Sequence, residues 1–392
     1  MPFVSTTRAG LLAGAFALAI GFAGPAASAD PIKIGGAFNL TGGQASLDGP
    51  AKNGAQLAID TLNAAGGVNG TPLELVVYDG KTDPAVVASL GSQLINSDKV
   101  SAIIGFSDSD PVLALGPNAQ KAGVPFIAVG ATSPKLPDQI GDTMFLACFG
   151  DNTQAAVGAS FAIDDLKAKS VYVLEDTANE YATLLSKYFR ETFEHLGGKV
   201  IGRDTYRTGD KSFTAQITKI KAAAEKPDIL YIAATPDSIG LVVRQVRQAG
   251  LKLPIVGGDG YDTPLLLEVG GASANNVYFT THSFVSDSAP GPMKTFFDAY
   301  GKAYGNAPEN AFAALGYDTV MLVADAIKRA GSGDPAAIRK ALTETKDLAG
   351  VTGAVTFAEG SRVPVKSVTV IGVKDKALYK AAEMAPTFVP KP

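Results

Sequence analysis

The chain has no tryptophan, a single cysteine and two histidines in 392 residues. Each scarcity excludes something. One cysteine, Cys148, cannot form an internal disulfide, so an exported version of this chain must stand on its hydrophobic cores. It lies in the apolar run "TMFLACFGD", as a buried thiol would, and no base accompanies it to make a nucleophile. The histidines, His195 and His282, have no serine or cysteine partner in sequence, and His195 sits at a solvated helix end in "FEHLGG". No His/Cys/carboxylate cluster has metal-ligand spacing, and no metal or other cofactor is expected. Positive charge is also short: the net charge is −4, whereas a nucleic-acid partner requires a basic face. The phosphate-cradling P-loop, the dinucleotide fingerprint and the G-x-S-x-G elbow are all missing.

One apolar run stands out. Residues 1–29 carry Arg8, then "LLAGAFALAIGFAG", then Ala27-Ser28-Ala29 before Asp30. This is the order of a secretory signal peptide, with an apolar core too short and too glycine-rich to span a bilayer. No cysteine stands at the cleavage point to carry a lipid anchor. The mature chain is expected to be exported and soluble. Its 363 residues suffice for two domains, each with its own core.

Short apolar runs alternate with amphipathic ones. "IKIGGAFN", "LELVVYD", "VSAIIGF", "VPFIAVG" and "MFLACFG" form one set of strands. "SVYVLED", "KVIGRDTY", "DILYIAA", "PIVGGDG" and "NVYFTTH" form a second. Helical patterns that often end in glycine separate them. Continuously apolar strands spaced by helices mean parallel sheets covered on both faces. After residue 280 the pattern changes to long helices and a strand-rich tail, "GAVTFA" and "KSVTVIGV". The fold class is therefore α/β, with two Rossmann-like doubly wound lobes. Such sheets take ligands beyond the carboxyl ends of their strands, so two facing lobes would hold one between them.

The strand exits supply the candidate residues. Ser109 precedes a helix as its expected N-cap, at a terminus suited to a carboxylate. Asp108 and Asp110 flank it, and at least one is expected to face solvent. In "VPFIAVGATSPKL", Gly130 allows close backbone approach, Ala131 is small, and Thr132 offers a hydroxyl and an N–H. "GGDG" puts Asp259 where it can pair an ammonium group or bond its own turn. Tyr181, in "EDTANEYATLL", can stack over a ligand or pack on its helix, and Glu180 is expected as a first-turn acid.

These segments, with "NGAQLAIDTLNAAGGVNG", "VRQVRQAGL" and "AFAALGYDTVMLVADAI", resemble the periplasmic branched-chain amino acid (Leu/Ile/Val)-binding proteins of ABC transporters. The resemblance runs in order along the whole mature chain. It implies the type I periplasmic binding fold, two lobes joined by a three-crossover hinge. The lobes would be 30–149 with 283–356, and 150–282 with 357–392. It implies a receptor, not an enzyme, acting as a monomer that hands an amino acid to a membrane permease. By position, Ser109 and Thr132 would hold the ligand carboxylate. The Gly130 carbonyl, the Thr132 hydroxyl and Asp259 would hold the ammonium. Tyr181 would close over the ligand, and Phe312 matches an aromatic of the family. Two family tyrosines fall near Leu47 and Thr235 here, which leaves side-chain preference open. An aromatic acid, an amide or another small carboxylate is the alternative ligand, and an exported α/β enzyme the alternative class.

Overall fold

The structure, a computed structural model, describes residues 1–7 and 30–392. Residues 8–29, with most of the expected export signal and its cleavage site, lie outside the described residues.

The first set of strands forms one sheet. β1 (Ile32–Phe38), β2 (Leu73–Asp79), β3 (Ala102–Gly105), β4 (Phe126–Ala128) and β5 (Met144–Leu146) lie parallel in the order β2-β1-β3-β4-β5. Helices α1 (Ala45–Ala64), α2 (Pro84–Asn96), α3 (Ser109–Ala122) and α4 (Leu136–Ile140) connect them. The chain then passes to α5 (Asp151–Asp164) and a second sheet. Its parallel strands are β6 (Ser170–Asp176), β7 (Lys199–Tyr206), β8 (Ile229–Ala233), β9 (Ile255–Gly257) and β10 (Val277–Thr281). They are spaced by α6 (Glu180–His195), α7 (Thr214–Ala222), α8 (Pro236–Gln248) and α9 (Leu265–Gly270).

The central strands are near-continuously apolar because both faces are covered. On β8, Leu230 and Ile232 join the core packed by α8, while Ile229, Tyr231 and Ala233 join the core packed by α5 and α6. β6 divides in the same way, with Tyr172 and Leu174 on one side and Val171 and Val173 on the other. The period-2 alternation of side chains thus serves two cores at once.

After β10 the chain returns to the first lobe. α10 (Pro292–Tyr304), α11 (Ala311–Ala330) and α12 (Pro335–Thr343) follow, and α11 and α12 pack into the first lobe's core. α11 lies against α1 at very short range. A Cβ on Gly54 would fall 1.8 Å from the Ala313 carbonyl oxygen, and one on Gly316 would fall 1.9 Å from that of Ala51. Each helix offers a glycine to the other's backbone.

A third crossing leads to β11 (Val368–Lys374) and β12 (Ala377–Met384), a hairpin added antiparallel to the edge of the second sheet at β10. Asp375 and Lys376, both at positive φ, make its two-residue turn. "GAVTFA" departs from expectation. It makes a single bridge, Val355 to Leu348, rather than a strand. It belongs to the crossover, and its apolar residues Val355 and Phe357 fill the first core instead of extending a sheet.

Candidate functional site

The carboxyl ends of both sheets face each other. On the first, Gly105 and Phe106 leave β3 with φ of 157° and 56°. A Cβ on Gly105 would lie 1.8 Å from the Ala37 carbonyl oxygen, so only glycine lets β3 turn away this close to β1. The turn carries Ser107 to the buried Asp48, whose carboxylate accepts from Ser107 N at 2.8 Å and from Asn39 N at 2.7 Å. Asp48 therefore ties the exits of β1 and β3 together. Burial pushes its pKa up to about 6 against the pull of those two N–H donors.

The expectation that Ser109 caps α3 is corrected. Asp108 is the N-cap, with extended backbone and a side chain that accepts from Ser109 N at 2.7 Å, and Ser109 is the first helical residue. A side-chain carboxyl oxygen is among the favoured partners for the free N–H groups of a helix N-terminus. That frees the fully buried Ser109 hydroxyl to accept from Ser133 N at 3.3 Å, in the turn after β4. The expected outward-facing acid is not found either. Asp108 is buried and Asp110 half-buried, and both are bonded by the start of α6 in the other lobe. Burial first, and the neighbouring Asp110 charge second, push Asp108 up to about 7.

The turn after β4 has an unusual backbone. Gly130, Ala131 and Thr132 are buried. The Gly130 N–H donates to Phe106 O, the Ala131 carbonyl accepts from Cys148 Sγ at 3.3 Å, and the Thr132 carbonyl accepts from Asp151 N. The Gly130 carbonyl and the N–H groups of Ala131 and Thr132 have no partner among the described residues. Buried backbone groups are nearly always paired. One acceptor and two donors thus stand free in three consecutive residues. The Phe312 ring covers Gly130, reaching within 2.5 Å of where a Cβ would stand.

On the second sheet, Asp259 follows β9 and opens a 3-10 turn, Asp259–Tyr261. Its carboxylate bonds other elements rather than its own turn. Oδ1 accepts from Gln154 Nε2 at 2.9 Å, and Oδ2 lies 3.0 Å from His282 Nε2. Gln154 also reaches the Thr132 hydroxyl at 3.4 Å and Asp151 at 3.0 Å. One amide therefore joins the turn after β4 to Asp259. Burial, with the Asp259 charge adding to it, raises Asp151 well above the usual carboxylate range. The Tyr181 hydroxyl accepts from Gly260 N at 3.0 Å. Cys148 is buried, and burial raises its thiol well above the usual value. His195 ends α6, exposed, with its ring stacked on Phe388.

Between the sheets lies a narrow cavity of only about 10 Å³, lined by Tyr181, Asp259, Phe312, Leu47, Thr235 and Asp108 together with Gln44, Ser107, Pro236 and Gly260. Of the expected site residues, Tyr181, Asp259 and Phe312 reach it directly. Ser109, Gly130, Ala131 and Thr132 do not line it; Gly130 lies against Phe312 and Ser107, which do. Leu47 and Thr235 both line it. Glu180 does not. It is in the first turn of α6 and accepts from the Ser133 hydroxyl across the cleft. Sequence reasoning missed Gln154, His282 and Gln44. Gln154 and His282 leave no local mark, because Asp259, the partner they share, is more than twenty residues from each in the chain.

The cleft is closed. Besides Asn179 and Glu180, Thr263 donates to Ser46 Oγ at 2.9 Å from the opposite lobe. Among the described residues, no helix is long and apolar enough to cross a membrane.

A sequence profile described as periplasmic binding protein matches residues 31–377. The leucine-, isoleucine-, valine-, threonine- and alanine-binding protein of Pseudomonas aeruginosa is 31% identical, over 86% of this chain and 88% of its own. Among solved structures, the branched-chain amino acid transporter substrate-binding protein LivJ of Streptococcus pneumoniae, in complex with isoleucine, superposes with a TM-score of 0.84. It is 34% identical and covers 92% of this chain and 100% of its own. The leucine-binding protein LivK of Thermotoga maritima gives the same TM-score and identity, covering 91% and 99%.

Proposed function

The chain belongs to the periplasmic binding protein family, and from that premise we propose that it is the solute-binding receptor of an ABC importer that captures an amino acid, branched-chain or related, between its lobes. One observation carries this reading: the turn that bears the unpaired, buried Gly130 carbonyl and Ala131 and Thr132 N–H groups is joined to Asp259 through the single amide of Gln154. Free N–H donors with the Ser109 and Thr132 hydroxyls suit a carboxylate. A free carbonyl with an ionised acid suits an ammonium. An α-amino acid presents both groups on one carbon. Tyr181 and Phe312 then enclose the rest of the ligand, with Leu47 and Thr235 at the side-chain end.

A plain carboxylate ligand fits less well. Asp259 and Asp108 would stand beside it, buried and without a cation to offset them. In this reading the export signal spans 1–29. The lobes are 30–149 with 283–356, and 150–282 with 357–392. The monomeric receptor delivers its cargo from the periplasm to the membrane permease and performs no catalysis.

The test is a thermal-shift panel of the twenty amino acids, benzoate and a small aliphatic amide. A ligand that binds only the folded state adds about 2.7 kcal/mol at a hundred times Kd. An amino acid should stabilise the wild type and leave Asp259→Ala unshifted. Equal shifts in the two proteins, or a shift from benzoate alone, would overturn the proposal.

A further inference from the structure

We propose that His282 is a positioning residue for ligand capture, holding the Asp259 carboxylate with its Nε2–H and tying it to the hinge. The inference rests on the amino-acid reading above. His282 directly follows β10, where the chain begins its second crossing between lobes. Its ring stacks on Phe149 of the first crossing, with centroids 4.3 Å apart and planes 25° apart. It also meets Phe312 edge-on at 5.4 Å. Two of the three crossings and one wall of the cavity therefore grip one imidazole. Among the described residues its polar partner is Asp259 Oδ2, at 3.0 Å.

The tautomer follows from the partners. The Asp259 carboxylate oxygens are acceptors, so Nε2 carries the hydrogen. Nδ1 is buried and has no partner among the described residues. Gln154 takes the other carboxylate oxygen. Together the two donors fix the plane of the carboxylate, as partners of a ligating group do in other sites. A neutral donor fixes it without cancelling its charge, and that charge is what the ammonium needs. Burial keeps the imidazole below its ordinary pKa, against the pull of Asp259.

Other charged groups set the same balance. Lys366, from the third crossing, disfavours a second positive charge on the ring. Lys380 and Glu383 of β12 line the space beyond the ring and pair with each other at 2.9 Å. Asp151 and Asp262 lie near Asp259. Protonated His282 would place a full positive charge next to the carboxylate that receives the ammonium. Ligand affinity should therefore fall as the pH drops below the ordinary histidine range.

The experiment compares wild type, His282→Gln, His282→Asn and His282→Ala by thermal shift with an equimolar mixture of the twenty L-amino acids, at pH 7.5 and at pH 5. The glutamine amide reaches the Nε2 position and the asparagine amide does not. Glutamine should keep the ligand shift, while asparagine and alanine should weaken apparent affinity about tenfold or more. Wild type should lose affinity at pH 5, and His282→Gln should lose less. If alanine and wild type respond alike at both pH values while Asp259→Ala loses its shift, this inference falls and the amino-acid reading stands. If the wild type shows no shift with the mixture, the amino-acid reading falls, and the inference with it.

Discussion

Asn179 and Asp108 meet across the cleft, with Asn179 Nδ2 3.0 Å from one Asp108 oxygen and 3.2 Å from the other. The same amide lies 3.2 Å from Asp110, while Asn179 Oδ1 caps α6 by accepting from Ala182 N at 3.0 Å. One side chain thus starts a helix in the second lobe and latches it to two acids of the first.

This division of labour separates two effects that mutation usually mixes. Asn179→Asp keeps the cap, since aspartate and asparagine are equivalent there. It replaces the donor with a third carboxylate facing Asp108 and Asp110. Melting temperature without ligand should change little. Ligand affinity should fall about ten- to a hundredfold, because closure then costs charge repulsion that the wild type does not have. Calorimetric titration gives the affinity, and small-angle scattering should show a larger radius of gyration at saturating ligand than in wild type. Unchanged affinity would mean that the latch adds nothing to closure.

The same acid predicts a pH dependence. Asp108 is raised from 3.8 to about 7 by burial and then by Asp110. Between those values the closed native protein holds a proton that the unfolded chain has released. Stability from this group is therefore fully present below about pH 4 and lost as pH rises towards 7. Asp48 and Asp262, raised to about 6, act in the same direction. Chemical denaturation between pH 5 and 8 should show stability falling with rising pH. Asp108→Asn, which removes the group with the highest of these values, should flatten the slope. A slope unchanged in that variant would assign the dependence to other groups.

How much of this was legible in the sequence depends on how far each signal reaches along the chain. The doubly wound lobes could be read because "DILYIAA" and "SVYVLED" are apolar on both alternating faces, which only a sheet covered on both sides requires. β12 was obscured by "ALYKAAEM", an exposed edge strand with no apolar stripe. "GAVTFA" misled for the opposite reason: its apolar alternation fills a core from a crossover. Asp259 stood out between glycines at a strand end. Gln154 and His282 looked like an ordinary helix residue and a strand-end histidine, since their roles arise only when α5 and β10 converge on β9. Asp108 rather than Ser109 caps α3 because the burial of that cap against α6 is a tertiary matter.

The contact of α1 with α11 makes a strong stability prediction. Gly54→Ala places a methyl where the Ala313 carbonyl oxygen now stands, and Gly316→Ala does the same against Ala51. Backbone cannot rotate aside as a side chain can, so the helices must separate. Helix propensity favours alanine by about 1 kcal/mol, and the clash should exceed that by a wide margin. Each variant should be destabilised by about 3 kcal/mol or more on denaturant unfolding. Gly49→Ala is the control, because its added methyl meets nothing within 4 Å. It should be neutral or stabilised.

Gly130 and Phe312 form a pair whose coupling can be measured. A methyl on Gly130 would lie 2.5 Å from the Phe312 ring, and its φ is not in the left-handed region, so the obstacle is the ring alone. Gly130→Ala should cost about 1–3 kcal/mol, the usual range for overpacking. Phe312→Leu by itself should also destabilise, since the ring is fully buried. In the double variant the smaller leucine leaves room for the methyl. The combined loss should therefore be less than the sum of the two, by about 1 kcal/mol. Strict additivity would show that the ring already moves freely away from Gly130. In that case Phe312 would not be the element that encloses the free Gly130 carbonyl, and ligand affinity in Gly130→Ala should then match wild type.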